Sequence, residues 1–264
     1  FMPRHEMSEV KPYEPSRGLA AKLHRRLVQW RFASPINIRP PRPLLSITFD
    51  DCPKTATTTG GRILDRYNTK ACFYIASKLI DTDTVMGRIA DKDDLRAMYT
   101  AGHEIAAHTH SHIDCAQTPA NDVIQDVEQN LEELTDITKG QTIQSFAFPF
   151  GETNYALKQK LSERFTNLRG VLSGNNRGLV DRAHLRAFEI NGDPKSVDRI
   201  LSALHVSADM PAWTILFTHD VSPDPSGFGM TPAQLERVIE TANMLGIEID
   251  TPANIVQKLG VLDQ

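Results

Sequence analysis

From Leu44 onward, short apolar, β-branched runs alternate with longer stretches in which polar and apolar positions mix. The runs are LLSITF (44–49), ACFYIA (71–76), HEIAAH (103–108), QSFAFPF (144–150), LRGVLS (168–173), LRAFEI (185–190), WTILFT (213–218) and GIEID (246–250). Their length and composition are those of buried strands. Helical patterns lie between most of them. TTTGGRILDRY (57–67) carries Ile63, Leu64 and Tyr67, and DKDDLRAMYTAG (91–102) ends on a glycine stop. PANDVIQDVEQNLEELTDI (119–137) opens on proline with acids in its first turns. TPAQLERVIETANMLG (231–246) has a Thr cap, a Pro at the first helical position and a Gly at its end. Seven or eight β–α units in series predict an α/β fold with a parallel sheet, most economically closed into a TIM-like barrel occupying 44–264 as one catalytic domain.

Residues 1–43 form a distinct leader. Within it LAAKLHRRLVQWRF (19–32) places Leu19, Leu23, Leu27 and Trp30 at helical spacing among Lys22, Arg25, Arg26 and Arg31. A basic amphipathic helix of this kind packs on its own domain or a partner subunit, or lies on a membrane surface; the first reading is preferred. RPPRP (39–43) then breaks any helix and reads as an extended linker.

The chain has 264 residues, 40% of them hydrophobic and 23% charged, with a net charge of −4, and carries no basic footprint for nucleic acid. Its three cysteines, Cys52, Cys72 and Cys115, are too few for a disulfide framework and predict buried thiols in a reducing compartment. No apolar run reaches membrane-spanning length, and the first eighteen residues hold no signal-peptide core, so a cytoplasmic location is expected.

In a barrel, chemistry collects at the C-terminal ends of strands. Four such ends are chemically equipped: Asp50–Asp51, HTHSH (108–112), FPFGE (148–152) and THD (218–220). His108 and His112 are four apart and share a face on a helical turn, so both can aim at one point while His110 looks elsewhere. Two imidazoles and a carboxylate suit a catalytic divalent metal, zinc first, with Co2+, Ni2+, Mn2+ or Fe2+ as alternatives. Side chains alternate along an extended chain, so the two aspartates need not share a role: one can hold metal while the other takes a proton from the attacking water. His219 is available as general acid, and backbone N–H groups around Pro149–Gly151 can face a developing oxyanion. Metal-assisted hydrolysis of an amide or ester follows.

TFDD (48–51), H-[ST]-x-x-H (108–112), FPFG (148–151) and LFTHD (216–220) resemble, in order and spacing, the motifs of the polysaccharide deacetylase family, also called carbohydrate esterase family 4 or the NodB homology domain. The resemblance spans roughly 44–255. It implies a distorted (β/α)7 barrel and removal of N-acetyl, or O-acetyl, groups from sugars with a divalent metal. It also implies that Asp50 is the base, that Asp51, His108 and His112 hold the metal, and that His219 is the acid. Phe217 or Leu216 would line the acetyl pocket, with the N–H of Phe150, after Pro149, facing the oxyanion.

Two motif positions depart. The arginine that begins the family's third motif and orients the base is replaced by Ala147, and the acidic partner of the last histidine has no clean match. Arg186 and Asp193 (or Glu189) are the expected substitutes. Cys52, beside the two aspartates, is expected to pack rather than to ligate, and His103 and His110 to be structural. Phe228 and Met230, in the Pro/Gly-rich loop after His219, are candidates for substrate contact. The expected partners are a carbohydrate or a small amide, and a homo-oligomer is admitted. The competing functions are hydrolysis of a cyclic ureide- or imide-like amide, and sugar binding by a decayed barrel.

Overall fold

The computed structural model describes residues 27–260. Most of the leader, residues 1–26, therefore lies outside the described residues, and of its expected helix a turn at 27–30 is seen. Twelve strands and seven longer helices follow. The strands are β1 (Pro35–Ile38), β2 (Leu44–Asp50), β3 (Cys72–Ile75), β4 (Asp83–Thr84), β5 (Gly87–Arg88), β6 (Glu104–Ala107), β7 (Ser145–Ala147), β8 (Asn167–Arg169), β9 (Gly178–Asp181), β10 (Phe188–Glu189), β11 (Trp213–Thr218) and β12 (Glu248–Ile249). The helices are α1 (Gly61–Arg66), α2 (Lys92–Thr100), α3 (Ala120–Ile137), α4 (Tyr155–Ser162), α5 (Pro194–Asp209), α6 (Pro232–Met244) and α7 (Pro252–Leu259).

The main sheet runs β10-β11-β2-β3-β6-β7-β8, parallel throughout. A parallel bridge from Arg169 to Leu185, just ahead of β10, joins its ends into a seven-stranded ring. β12 adds beside the first residues of β2, on Leu44 and Leu45, and splays the ring there. The result is the expected α/β barrel, distorted as expected.

Alternation along the strands sorts the core into two layers. Leu45, Ile47, Phe49, Phe73, Ile105 and Leu216 point outward into the large apolar layer under the helices. Leu44, Trp213, Ile215, Phe217, Tyr74, Ala106 and Ala147 form smaller clusters of the opposite set, which fill the ring. Helix starts follow their caps: Asp91 closes a capping box on α2 and Thr231 one on α6.

The structure also corrects the expected boundaries. QSFAFPF ends as a strand at Ala147, because Pro149 opens a tight 3-10 turn over Pro149–Gly151. LRGVLS ends at Arg169. Helices α4, α5 and α7, and strands β1 and β9, were not foreseen.

β1 pairs antiparallel with β9, and the backbone ahead of it is held by a buried ion pair. Lys158 Nζ lies 2.6 Å from Asp181 and donates to the carbonyls of Val28 and Arg31. Asp181 in turn accepts from the amides of Ala33 and Ser34. Each member of the pair thus satisfies backbone groups of opposite polarity in the same short segment, which is how such a pair is tolerated out of water. No helix among the described residues is long and apolar enough to cross a membrane.

Candidate active site

Five residues at the C-terminal strand ends adopt left-handed backbone without being glycine: Asp51 (φ 57°), Cys52 (57°), Thr109 (62°), His112 (51°) and Phe150 (57°). Only three others among the described residues do so. Each such conformation costs about 1 kcal/mol or more, and their concentration marks the mouth of the barrel as strained for a purpose.

That strain brings the histidines together. The segment 108–112 is irregular rather than helical, so the expected i, i+4 face is absent. Left-handed turns at Thr109 and His112 fold the loop back instead, stacking the two rings edge to face at 5.0 Å. His108 Nδ1 donates to the carbonyl of Ala147 at 2.7 Å, which fixes its tautomer and turns Nε2 toward Asp51 at 3.8 Å. His112 Nε2 lies 3.3 Å from the same Asp51 Oδ1. The ligand atoms of Asp51, His108 and His112 all fall within 4.8 Å of one another.

The fit to a metal rests on two features of these residues. Asp51 Oδ1 is buried with no hydrogen-bond donor, a cost a cation would remove. Burial pushes the His108 imidazole down to about 4, against which the Asp50 carboxylate acts, so the ring is neutral and its lone pair available near pH 7.

Asp50, at the end of β2, is buried beside this cluster. Burial alone would raise its pKa, but the Arg169 guanidinium, then His108 and His219, outweigh it and hold the carboxyl below its ordinary value. Arg169 Nη2 donates to both carboxylate oxygens at 2.6 Å. The guanidinium is itself wholly buried, sandwiched between the rings of Tyr74 (5.0 Å) and Phe217 (4.6 Å).

Here the structure overturns one expectation and supplies its replacement. Arg186 is exposed and donates to the Ser173 carbonyl, away from Asp50. The arginine on the aspartate is Arg169, which stands in register opposite Ala147 on the next strand. The charge missing at 147 has moved one hydrogen-bonded step across the sheet, and alanine leaves it room. The signal in sequence was a lone arginine within the apolar run LRGVLS.

Asp193 is likewise corrected. Its carboxylate caps α5 by accepting from Lys195 N and lies 3.6 Å from Arg199. No hydrogen bond joins His219 to Asp193 or Glu189 among the described residues. His219 Nδ1 donates instead to the Phe228 carbonyl at 3.2 Å, leaving Nε2 directed elsewhere. Phe228 is presented by a loop tied at its base, where Asp220 accepts from the Ser226 amide and hydroxyl. A Cβ at Gly229 would collide with that Asp220 carboxylate, so the loop closes only over glycine. The acidic partner's place is filled by a carbonyl.

Of the two acetyl-pocket candidates, Phe217 faces the interior under Arg169, while Leu216 belongs to the outer layer. Phe150, in the turn after Pro149, sets its ring edge-on to His112 at 4.6 Å. Cys52 is buried in the apolar core, and burial raises its thiol well above the ordinary value, so it remains a protonated packing group. His103 is buried against Phe73, and His110 turns away from the cluster to Ser77 and Glu133.

One face of α3 braces the histidine loop, a role the sequence did not suggest. Asp126 accepts from the amides of His110 and Ser111, and Asn130 accepts from that of His108. Glu133, a further turn along, lies 3.3 Å from the His110 ring.

Residues 37–164 match the family model described as polysaccharide deacetylase. A bifunctional xylanase/deacetylase of Pseudobutyrivibrio xylanivorans is 23% identical over 122 residues, 46% of this chain and 19% of that protein, so the chain spans about a fifth of its length. A family 4 acetyl xylan esterase from Clostridium thermocellum, solved with a cobalt ion, superposes with a TM-score of 0.59 at 24% identity, covering 83% of this chain and 92% of that one. The carbohydrate esterase 4 domain of a multidomain xylanase from the hindgut metagenome of Trinervitermes trinervoides gives 0.58 at 18% identity, over 83% and 92%. A family 4 pseudoenzyme from Bacillus anthracis also gives 0.58, at 14% identity, over 83% and 66%. Over residues 37–164 by the family model, and over its barrel by these structures, the chain is similar to the polysaccharide deacetylase family, carbohydrate esterase family 4.

Proposed function

We propose that the protein is a metal-dependent hydrolase that removes N-acetyl, or O-acetyl, groups from a carbohydrate. The observation that carries this reading is the pair of unlike aspartates. Asp51 offers a donor-less buried oxygen beside two imidazoles, while Asp50, next to it, is held ionised by Arg169. A divalent metal, zinc first, would be held by Asp51, His108 and His112. When bound it would polarise the acyl oxygen and acidify water.

The other residues do the proton work. Asp50, fixed by two hydrogen bonds, accepts the proton from the attacking water. His219, whose Nδ1–H is committed to the Phe228 carbonyl, presents Nε2 to the leaving nitrogen or oxygen. Phe217 and the Pro149–Gly151 turn bound the space for the acetyl group, with the Phe150 N–H proposed toward the oxyanion. A soluble cytoplasmic setting and a small-amide substrate were also admitted by the sequence. The small-amide reading drew on the loss of the third and fourth motifs; Arg169 beside Asp50 answers the first of these, while His219 keeps a carbonyl in place of an acidic partner.

The test is metal content together with acetate release from chitooligosaccharides, acetylated xylan and small amides. Asp51→Ala should lose both metal and turnover, whereas Cys52→Ala should keep both. Metal without turnover on every substrate would leave the sugar-binding reading, and chelator-insensitive turnover would end the metal mechanism.

A further inference from the structure

At the end of the barrel where the strands begin lies a group of polar side chains that the reaction does not use. Glu104 opens β6, Ser145 opens β7 and Asn167 opens β8. Alternation turns them into the ring, below His108, Ala147 and Arg169 on the same three strands. Ser145 and Asn167 are wholly buried, and Asn167 Nδ2 donates to Ser145 Oγ at 2.7 Å. The Ser145 hydroxyl also lies against the Glu104 carboxylate. From below, the start of α7 closes the ring. Its Ala253 amide donates to Glu104 Oε2 at 3.0 Å, with the Thr251 hydroxyl beside the same carboxylate.

These contacts leave two oxygens over. Glu104 Oε1 and Asn167 Oδ1 are both buried and neither accepts a hydrogen bond. Both belong to side chains that meet at Ser145, so the two orphans share one place in the floor. One of them sits on a carboxylate, the kind of group that is costly to bury without a counter-charge. Among the described residues no lysine, arginine or histidine forms an ion pair with Glu104. Its titratable neighbours are Cys72, directly opposite on β3, and Asp250, ahead of α7. Burial raises the Cys72 thiol well above its ordinary value, so it is neutral, and Lys258 already answers Asp250 at 2.6 Å.

We propose that Glu104, Asn167 and Ser145 form a binding site for a monovalent alkali cation, sodium or potassium, in the floor of the barrel. Every ligand atom is an oxygen, the preference of hard cations, and no imidazole or thiolate is present to select a transition metal. A single carboxylate balances one positive charge, whereas a divalent ion would leave an excess charge in the interior. The ion would tie the first residues of β6, β7 and β8 to the segment that begins α7. Two other occupants answer the same oxygens, a bridging water and a proton on Glu104, whose pKa burial raises. Neither depends on which cation the buffer contains.

The test uses that difference. The full chain is melted at one pH and one ionic strength in sodium chloride, potassium chloride or choline chloride, whose cation is too bulky for the site. The midpoint should be about 2 °C or more higher in an alkali salt than in choline. Glu104→Gln can donate its amide to Asn167 Oδ1 while its oxygen accepts from Ala253, so it should fold and melt alike in all three salts. Asn167→Asp turns a second carboxylate toward the ion and should widen the gap between alkali and choline. Asp51→Ala should keep the parent's gap, because the ion does not sit among Asp51, His108 and His112. Equal midpoints of the parent in the three salts would overturn the proposal and leave the oxygens to water or a proton. So would a gap that survives in Glu104→Gln, fails to widen in Asn167→Asp or vanishes in Asp51→Ala. The measurement is of folding and needs no turnover, so its failure is distinct from failure of the hydrolase reading.

Discussion

Asp50 and Arg169 are 119 residues apart in sequence and share two short hydrogen bonds in the interior of the barrel. Removing the guanidinium leaves a buried carboxylate whose pKa must rise, because burial then acts against less compensation. Arg169→Ala should therefore lower kcat/KM by about 10²-fold or more and move the acid limb of its pH profile upward. Arg186→Ala should leave both at parent values. Because Ala147 and Arg169 are cross-strand neighbours, Ala147→Arg in the Arg169→Ala background should return part of the lost rate; a double variant no better than the single one would refute equivalence of the two positions. The residues that the fold gathers, Asp51, His108 and His112 with Asp50 beside them, were visible in the sequence because they lie at or shortly after the ends of strands that their own composition announces. Arg169 was not, because a motif names a position in the chain while the aspartate responds to a position in space.

The helix α3 shows the same limit at the level of an element. Its span was readable from apolar spacing and Pro119, but its polar face gave no sign that Asp126 and Asn130 hold the amides of the histidine loop. Those amides fix two left-handed turns that no local preference supports. Asp126→Asn keeps the shape and weakens the acceptor, so metal affinity should fall by about tenfold in a titration with Zn2+, with far-ultraviolet dichroism unchanged. Unaltered affinity would reduce α3 to a packing element. At α5 the sequence did carry the answer: Asp193-Pro194 is a cap followed by proline at the first turn, with Val197, Ile200, Leu201 and Leu204 buried behind it. Reading Asp193 as a chemical group obscured the simpler helix start.

Over the whole molecule, three buried imidazoles set the response to acid. Burial holds His103, His108 and His184 down at about 4, against 6.5 for the ordinary ring. The unfolded chain therefore takes up protons as the pH falls below 6.5, while the folded chain takes them up only near 4. Stability of the metal-free protein is thus full above about pH 6.5 and lost progressively down to about pH 4. In His103→Gln, the slope of unfolding free energy against pH between these limits should drop by about 1.4 kcal/mol per pH unit, one proton's worth, in urea titrations. An unchanged slope would mean that His103 is protonated alike in both states. The barrel itself was legible because its strands are uniformly apolar and regularly spaced. β1 and β9 were not, because their pairing depends on a lysine and an aspartate that local pattern cannot connect.

The separation of 119 residues between Asp50 and the Arg169 guanidinium also has a meaning in time. At a synthesis rate of about 5–20 residues per second, Asp50 is made about 6–24 s before Arg169. β2 waits longer still for β11, which pairs along most of one of its edges. Through that interval β2, the longest fully buried strand among the described residues, ends in two aspartates with no counter-charge from Arg169. Two acids closing an apolar strand are the kind of charged terminus that discourages such a strand from pairing with its neighbours before its own partners exist.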